Sequence, residues 1–300
     1  MKAQGIISLI GYSIAIGTLG FFTRMVDGID LMTIVFFRTL LAALFILGFV
    51  LMTKKAADLI PNNPILLLFN AFCQGGMMVT FIGAVLYTSI TNTYFFNHTA
   101  PIFAILFSWL FLKENIHKST VISIIISFVG MMLIIDFNSF SLRSDTVFGD
   151  LLALASGILF AGSMVSSKVL TRTNSSVTIT FWQMALTAAA LIPFIQMPSA
   201  VVLLPAALPL IGMGCIATGL SYVLFVYGVE HLEAQVVLII PTLGLLFPMV
   251  GAWVLYAETL SASGIAGCML IVIGVLTSQL GFGRSAAVPD NKLQPASVGQ

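Results

Sequence analysis

SWLFLKE, from Ser108 to Glu114, and AWVLYAE, from Ala252 to Glu258, hold the key to the architecture. Each closes a long apolar run with Trp and Glu at the same spacing, and the two copies are 144 positions apart. The same offset carries Gly130 onto Gly274, Gly5 onto Gly149, Gly75 onto Gly219 and Arg24 onto Lys168. VFFRTLLAAL, starting at Val35, likewise matches ITFWQMALTA, starting at Ile179, at 144 to 145. Small and apolar residues match easily by chance in so apolar a chain. A common offset across five segments, Trp and Glu included, does not arise that way, so the chain is read as an internal repeat.

Composition names the solvent. Of 300 residues 59% are hydrophobic and 8% charged, with a mean hydropathy of +1.10, whereas soluble chains carry about 25% charged residues. Too few polar side chains exist to cover a surface in water, and a bilayer removes that need. A net charge of +1 offers no field for nucleic acid. Cys73, Cys215 and Cys268 lie in apolar runs without CxxC spacing, which argues against a disulfide framework or a metal site. The chain has no GxxxxGK[ST], no HExxH and no buried aspartate pair. It is therefore not expected to be an enzyme, and no cofactor is implied.

About 20 apolar residues cross the hydrocarbon as a helix. Such segments fall at 5–22, 31–52, 65–87, 91–112, 119–136, 148–168, 178–197, 207–228, 234–256 and 262–282. Pro193, Pro198, Pro205 and Pro209 blur the seventh and eighth. The expected fold is an all-α integral membrane protein of ten transmembrane helices, arranged as two inverted-topology five-helix repeats. Repeat one spans 1–137, an external linker 138–147, repeat two 148–282, and a disordered cytoplasmic tail 283–300. Lys2 and the run after it imitate a signal peptide, but no A-x-A-type site comes next, so a retained first helix is expected. With the N-terminus inside, Lys2, Lys54, Lys55, Lys113, Lys118, Lys168, Arg172, Arg284 and Lys292 face the cytoplasm and only Arg24 and Arg143 the exterior. Both termini are then cytoplasmic, in the cytoplasmic membrane of a bacterium. An odd number of spans per unit turns the second copy upside down, and inverted repeats mark secondary transporters.

The chain resembles the EamA branch of the drug/metabolite transporter superfamily. The resemblance is carried by FFRTLLAAL (Phe36–Leu44), AVLYTS (Ala84–Ser89), PIFAILFSWLFLKE (Pro101–Glu114) and GDLLALASGILFA (Gly149–Ala161). Lys113 and Ala257 depart from it, standing where a small glycine usually precedes the terminal glutamate. The resemblance implies alternating-access transport of small metabolites, amino-acid-like or amphipathic, with export favoured. Uptake of a vitamin or nucleoside-like compound is the alternative, and a non-transporting receptor or assembly subunit a second. The expected partners are a small-molecule substrate and the lipid bilayer, with the chain a monomer or homodimer.

Ionisable side chains inside hydrocarbon are costly and point to function. Arg38 and His98 are the two that lie well within spans. At 1.5 Å per residue Arg38 is about 10 Å deep from the outer face, Asn97 and His98 are at a similar depth, and Gln74 is near the midplane. These four are expected around one polar pocket, with Tyr222 and Thr242 as further candidate contacts. Tyr12, Ser156, Ser163, Trp182, Gln183 and Ser221 add polar or aromatic surface. Two roles stand open for Arg38: pinning helix packing through backbone carbonyls and an amide, which its place in the shared signature favours, or contacting anionic cargo. Pro101, Pro241 and Pro248 interrupt helices four and nine and expose polar backbone, so the cavity is expected between helices three, four, eight and nine. Glu114 and Glu258 close the repeats at opposite faces and read as structural. No carboxylate lies deep in a span, which leaves His98 as the titratable candidate for coupling. Reporter fusions at Lys55, Asn115 and Arg172 should read cytoplasmic and one at Ser141 external; an external C-terminal tail would remove the ten-span topology.

Overall fold

The structure, a computed structural model, describes residues 2–53, 59–88, 90–114, 116–134, 146–233, 237, 239–245 and 262–280. Pro248, Trp253, Glu258, most of the linker, most of the ninth segment and the tail lie outside these residues. The described chain is helical and contains no strand. Seven helices are long and apolar enough to cross a membrane, and Lys118–Leu133 and Ala262–Thr277 are shorter apolar helices.

Local chemistry sets the clean boundaries. α1 (Lys2–Gly17) and α2 (Leu19–Arg24) meet at Thr18, whose hydroxyl donates to Ala15 O at 2.6 Å. α3 (Leu31–Met52) starts where Asp30 accepts from Thr33 N, and α4 (Pro64–Tyr87) where Asn63 accepts from Leu66 N. Pro64 sits at the start of α4, where a missing N–H is harmless.

The fourth segment, expected as one helix over 91–112, is instead α5 (Ile90–Asn97), α6 (Ala100–Phe107) and a π turn at Ser108–Leu112. His98 and Thr99 form the break, and Pro101 falls in the first turn of α6. Lys113 comes next in the left-handed conformation, φ 55°, which suits the glycine it replaces in the resemblance. α7 (Lys118–Ile134) and α8 (Val147–Leu170) continue the chain.

The seventh segment, expected to reach 197, ends early: α9 (Ser176–Leu191) passes into a 3₁₀ turn at Ile192–Phe194, where Pro193 denies the helix its next donor. The eighth, expected at 207–228, is longer: α10 (Ala200–Gly214), a π turn at Cys215–Leu220 and α11 (Ser221–His231). Pro205 and Pro209 are one turn apart, with Pro205 exposed, and α10 continues through both. A 3₁₀ turn at Ile240–Leu245 and α12 (Ala262–Leu280) complete the described chain.

α4 packs along α8, α7 along α12, α3 along α9, and α1 along α11. α4 also meets α9, while α3 meets α10 and its π turn. α5 and α6 lie on α8, and the Ile240–Leu245 turn lies on α1. The outer surface is apolar: Met52, Val201 and Leu204 are 87%, 84% and 81% exposed. Water would penalise that surface at about 25 cal/mol per Å², and lipid does not. α7 and α12 approach at glycine. A Cβ on Gly130 would lie 2.7 Å from Gly267 O, and one on Gly274 2.2 Å from Ser127 Oγ. Gly48, by contrast, has nothing within 4 Å of its would-be Cβ. Gly130→Ala should therefore lower stability by about 1–3 kcal/mol through overpacking, while Gly48→Ala should be neutral or slightly stabilising by helix propensity. Thermal unfolding in detergent reads both.

Candidate functional site

Gly214 begins the central site. A Cβ there would lie 2.5 Å from Leu41 Cβ and 3.2 Å from Arg38 O, so glycine lets α10 close on α3. The adjoining π turn carries Thr218, whose hydroxyl donates to Met213 O, five residues back, at 2.9 Å. Arg38 Nε in turn donates to Thr218 Oγ1 at 3.0 Å. Tyr12, Tyr94 and Tyr222 all lie within electrostatic reach of the guanidinium. The Tyr12 and Tyr222 rings are 6.1 Å apart, edge to face, and Phe225 packs 5.0 Å from Tyr12. Arg38 sits deep in the bundle yet keeps accessible surface, and Tyr94 is 39% exposed.

A buried polar seam joins α4, α8 and α9 beside it. Asn70 Nδ2 donates to Ser163 O, Ser166 Oγ and Ser167 Oγ at 2.7, 2.8 and 3.0 Å. Gln183 Nε2 donates to Asn70 Oδ1 at 2.8 Å, and Ser163 Oγ donates to Gln74 Oε1 at 2.9 Å. Two atoms of the seam, Gln74 Nε2 and Gln183 Oε1, have no hydrogen-bond partner among the described residues. The Tyr222 hydroxyl lies beside the Gln74 amide without completing a bond of good geometry.

Further contacts bind the ends of the bundle. Asp150 Oδ1 accepts from Thr88 Oγ1 at 2.7 Å and from Asn92 Nδ2 at 2.8 Å, and Gln196 N donates to Thr33 Oγ1 at 2.9 Å. At the opposite end Asn62 N donates to Asn174 Oδ1 at 2.7 Å, and Asn174 Nδ2 returns a bond to Asn62 O at 2.9 Å. Trp182 Nε1 donates to Leu59 O at 2.9 Å, and His117 pairs with Glu233 at 3.4 Å. Lys168 Nζ donates to Val229 O at 2.6 Å and to Leu232 O, holding the last turn of α11.

Arg38, Gln74 and Tyr222 thus come together, joined by Tyr12. Asn97 and His98, expected in the same pocket, do not join them. Asn97 Nδ2 donates to Ser156 Oγ at 2.8 Å, because the end of α5 faces α8. The His98 ring bonds its own helix at Tyr94 O, 2.9 Å away. His98 instead lines a small, mainly apolar cleft with Pro101, Ser127, Phe128, Ile239 and Thr242. Thr242 Oγ1 donates to Ile239 O at 2.5 Å, and Pro241 belongs to the same 3₁₀ turn. Thr218 and Asn70 were not picked out by sequence. Asn70 is legible afterwards as a polar residue one turn before Gln74, and Thr218 as the residue 144 positions beyond Gln74 in the repeat.

A family model described as the EamA-like transporter family matches residues 3–136 and again 147–279. The chain is 27% identical over 267 residues to an uncharacterised transporter of Archaeoglobus fulgidus, covering 88% of this chain and 92% of that protein. It is 26% identical over 247 residues to the pseudopaline exporter CntI of Pseudomonas aeruginosa, covering 81% and 84%. A solved crystal structure shares the fold with a TM-score of 0.81 over 93% of this chain and 98% of its own, at 16% identity.

The seam generates a stability prediction. Asn70→Leu removes a donor shared by three oxygens and should cost about 1–2 kcal/mol, the upper range for side-chain bonds inside membranes. Thr277→Val removes only a bond to its own helix at Ile273 O and should cost under about 0.5 kcal/mol. Equilibrium unfolding in mixed micelles separates the two.

Proposed function

Since the chain belongs to the EamA-like transporter family, we propose that it is a secondary transporter moving small amphipathic metabolites by alternating access. It is a multi-pass membrane protein and a transporter by family. The finer reading is two five-helix halves of opposite orientation in the cytoplasmic membrane, both termini inside, with cargo between them.

One observation carries this reading. Would-be Cβ atoms on Gly5 and Gly149 meet His231 with Leu232 and Tyr87 with Thr88, partners that are again 144 apart. Those on Gly130 and Gly274 meet Gly267 with Ile271 and Ser123 with Ser127, also 144 apart. The helix pairings repeat the same exchange: α4 on α8 corresponds to α11 on α1, and α4 on α9 to the Cys215–Leu220 turn on α3. Equal contacts at equal offsets support a two-fold relation between halves, the geometry in which exchanging the halves' conformations moves the opening across the membrane. Export is favoured over uptake because one relative is named an exporter.

Sealed vesicles containing only this protein test the reading. Saturable flux of amphipathic amino acids or related organic compounds is expected. In a cysteine-free background, a Thr88→Cys, Asp150→Cys pair should stop flux when oxidised and restore it on reduction, because the bond would tie the halves at one end. Folded protein without flux for any compound removes transport, and flux that survives the oxidised pair removes alternating access.

A further inference from the structure

We propose that Arg38 and Gln74 together hold a carboxylate of the cargo, with the Tyr12, Tyr222 and Phe225 rings walling its apolar body. This deepens the transporter reading and rests on it, by naming the cargo as an amphipathic organic acid.

A guanidinium deep in a bilayer protein needs a counter-charge or a full set of acceptors. Among the described residues Arg38 makes one side-chain hydrogen bond, from Nε to Thr218, which leaves the two terminal nitrogens of the fork unspent. The described acidic residues are Asp27, Asp30, Glu114, Asp150, Glu230 and Glu233, all outside helices or in a first or last turn. The remaining five of the eleven, Asp58, Asp136, Asp145, Glu258 and Asp290, fall at expected segment ends, in loops or in the tail. Among the described residues no carboxylate stands beside this charge.

The repeat supplies an internal control. Residue 182, at the position equivalent to Arg38 in the second half, is Trp182, which bonds Leu59 O at the end of the bundle. A helix in that setting therefore packs without a cation. Gln74 and Thr218 are also equivalent positions, 144 apart. One of them takes Arg38 Nε, and the other keeps a buried donor, Gln74 Nε2, without a partner among the described residues. Gln74 is 1% exposed, and an unmet donor at that burial points to a group supplied from outside. Tyr222 lies beside Gln74 and within electrostatic reach of Arg38, which relates the amide and the guanidinium as one candidate donor set. A carboxylate fits it: two oxygens accept from the guanidinium fork, and one of them also accepts from the amide. The rings of Tyr12, Tyr222 and Phe225 pack against one another and offer aromatic walls for an apolar body.

Isosteric acid–amide pairs test this on the purified full-length protein: phenylacetate with phenylacetamide, and L-phenylalanine with L-phenylalaninamide, plus inorganic phosphate. Each acid is expected to bind at least about tenfold more tightly than its amide, the scale of hydrogen bonds to a charged group. Arg38→Met should abolish that preference, and Arg38→Lys should reduce it by about tenfold through loss of the planar fork. Gln74→Leu should weaken the acids more than the amides, a ratio that does not depend on stability, so the test survives if Arg38→Met does not fold. Equal affinity for acid and amide, a preference that outlives Arg38→Met, or no binding of any acid overturns the proposal. So does a drop in ligand-free stability of the Arg38 variants with an unchanged acid-to-amide ratio, which would assign Arg38 to packing. Phosphate binding as tightly as the acids would replace carboxylate by a general oxyanion site and overturn the stated class. Vesicle flux separates the two levels. Transport without acid preference removes the carboxylate site and keeps the transporter, whereas selective acid binding without flux does the reverse.

Discussion

Hydrocarbon offers no partner for a backbone N–H or C=O, and every feature of this chain answers to that constraint. Helices meet it outright, which is why helices make up most of the described chain. Hydroxyls meet it by donating back to their own helix, as Ser13 does to Leu9 O at 2.8 Å, Thr39 to Val35 O at 2.8 Å and Ser221 to Ala217 O at 2.7 Å. Where the helix is interrupted the compensation is local. At the break between α5 and α6, Thr99 Oγ1 donates to Phe96 O at 2.6 Å and the His98 ring bonds Tyr94 O.

The same constraint explains how much could be read from the sequence. The second, third and sixth spans were legible to within two residues, because uninterrupted apolar runs begin at side-chain caps or an acidic first turn. The seventh and eighth were not, since proline forbids a donor but does not say whether its ring faces a neighbour or the outside. For the site, counting residues at 1.5 Å gives depth along the membrane normal but not direction around the helix. Arg38, Gln74, Asn97 and His98 could be placed at comparable depths, yet α5 turns Asn97 toward Ser156 and leaves His98 on a different wall. The π turn at Cys215–Leu220 was beyond reach for a related reason: it widens the helix locally and re-aims the side chains beyond it, and the offset that maps Gln74 onto Thr218 does not announce it.

Duplication makes the departures from symmetry informative. Where two halves must only pack, equivalent positions do the same work, as Gly130 and Gly274 do. Where they differ, packing alone is not the reason. Arg38 against Trp182, Gln74 against Thr218, and a π turn in the eighth span against regular helix in α4 are the departures that bear on the site.

The distribution of satisfied and unsatisfied polar groups leads to the same level. At one end Asp150 has its Thr88 and Asn92 donors, and Thr33 exchanges bonds with Gln196. At the other, Asn62 and Asn174 bond reciprocally, Trp182 reaches Leu59 O and His117 meets Glu233. Each of these contacts joins a residue of the first family match to one of the second or its flank, and each is complete. In the middle, Gln74 Nε2 and Gln183 Oε1 lack partners among the described residues, and Arg38 spends one donor of its fork. Contacts that only hold a protein together are expected to be satisfied, because each buried unmet group costs about 1–3 kcal/mol. Between ends joined by complete bonds, Gln74 Nε2 and the Arg38 fork keep donors that no described residue accepts; Thr120 Oγ1 and Ser127 Oγ lack partners in α7 too, but neither stands beside a buried charge.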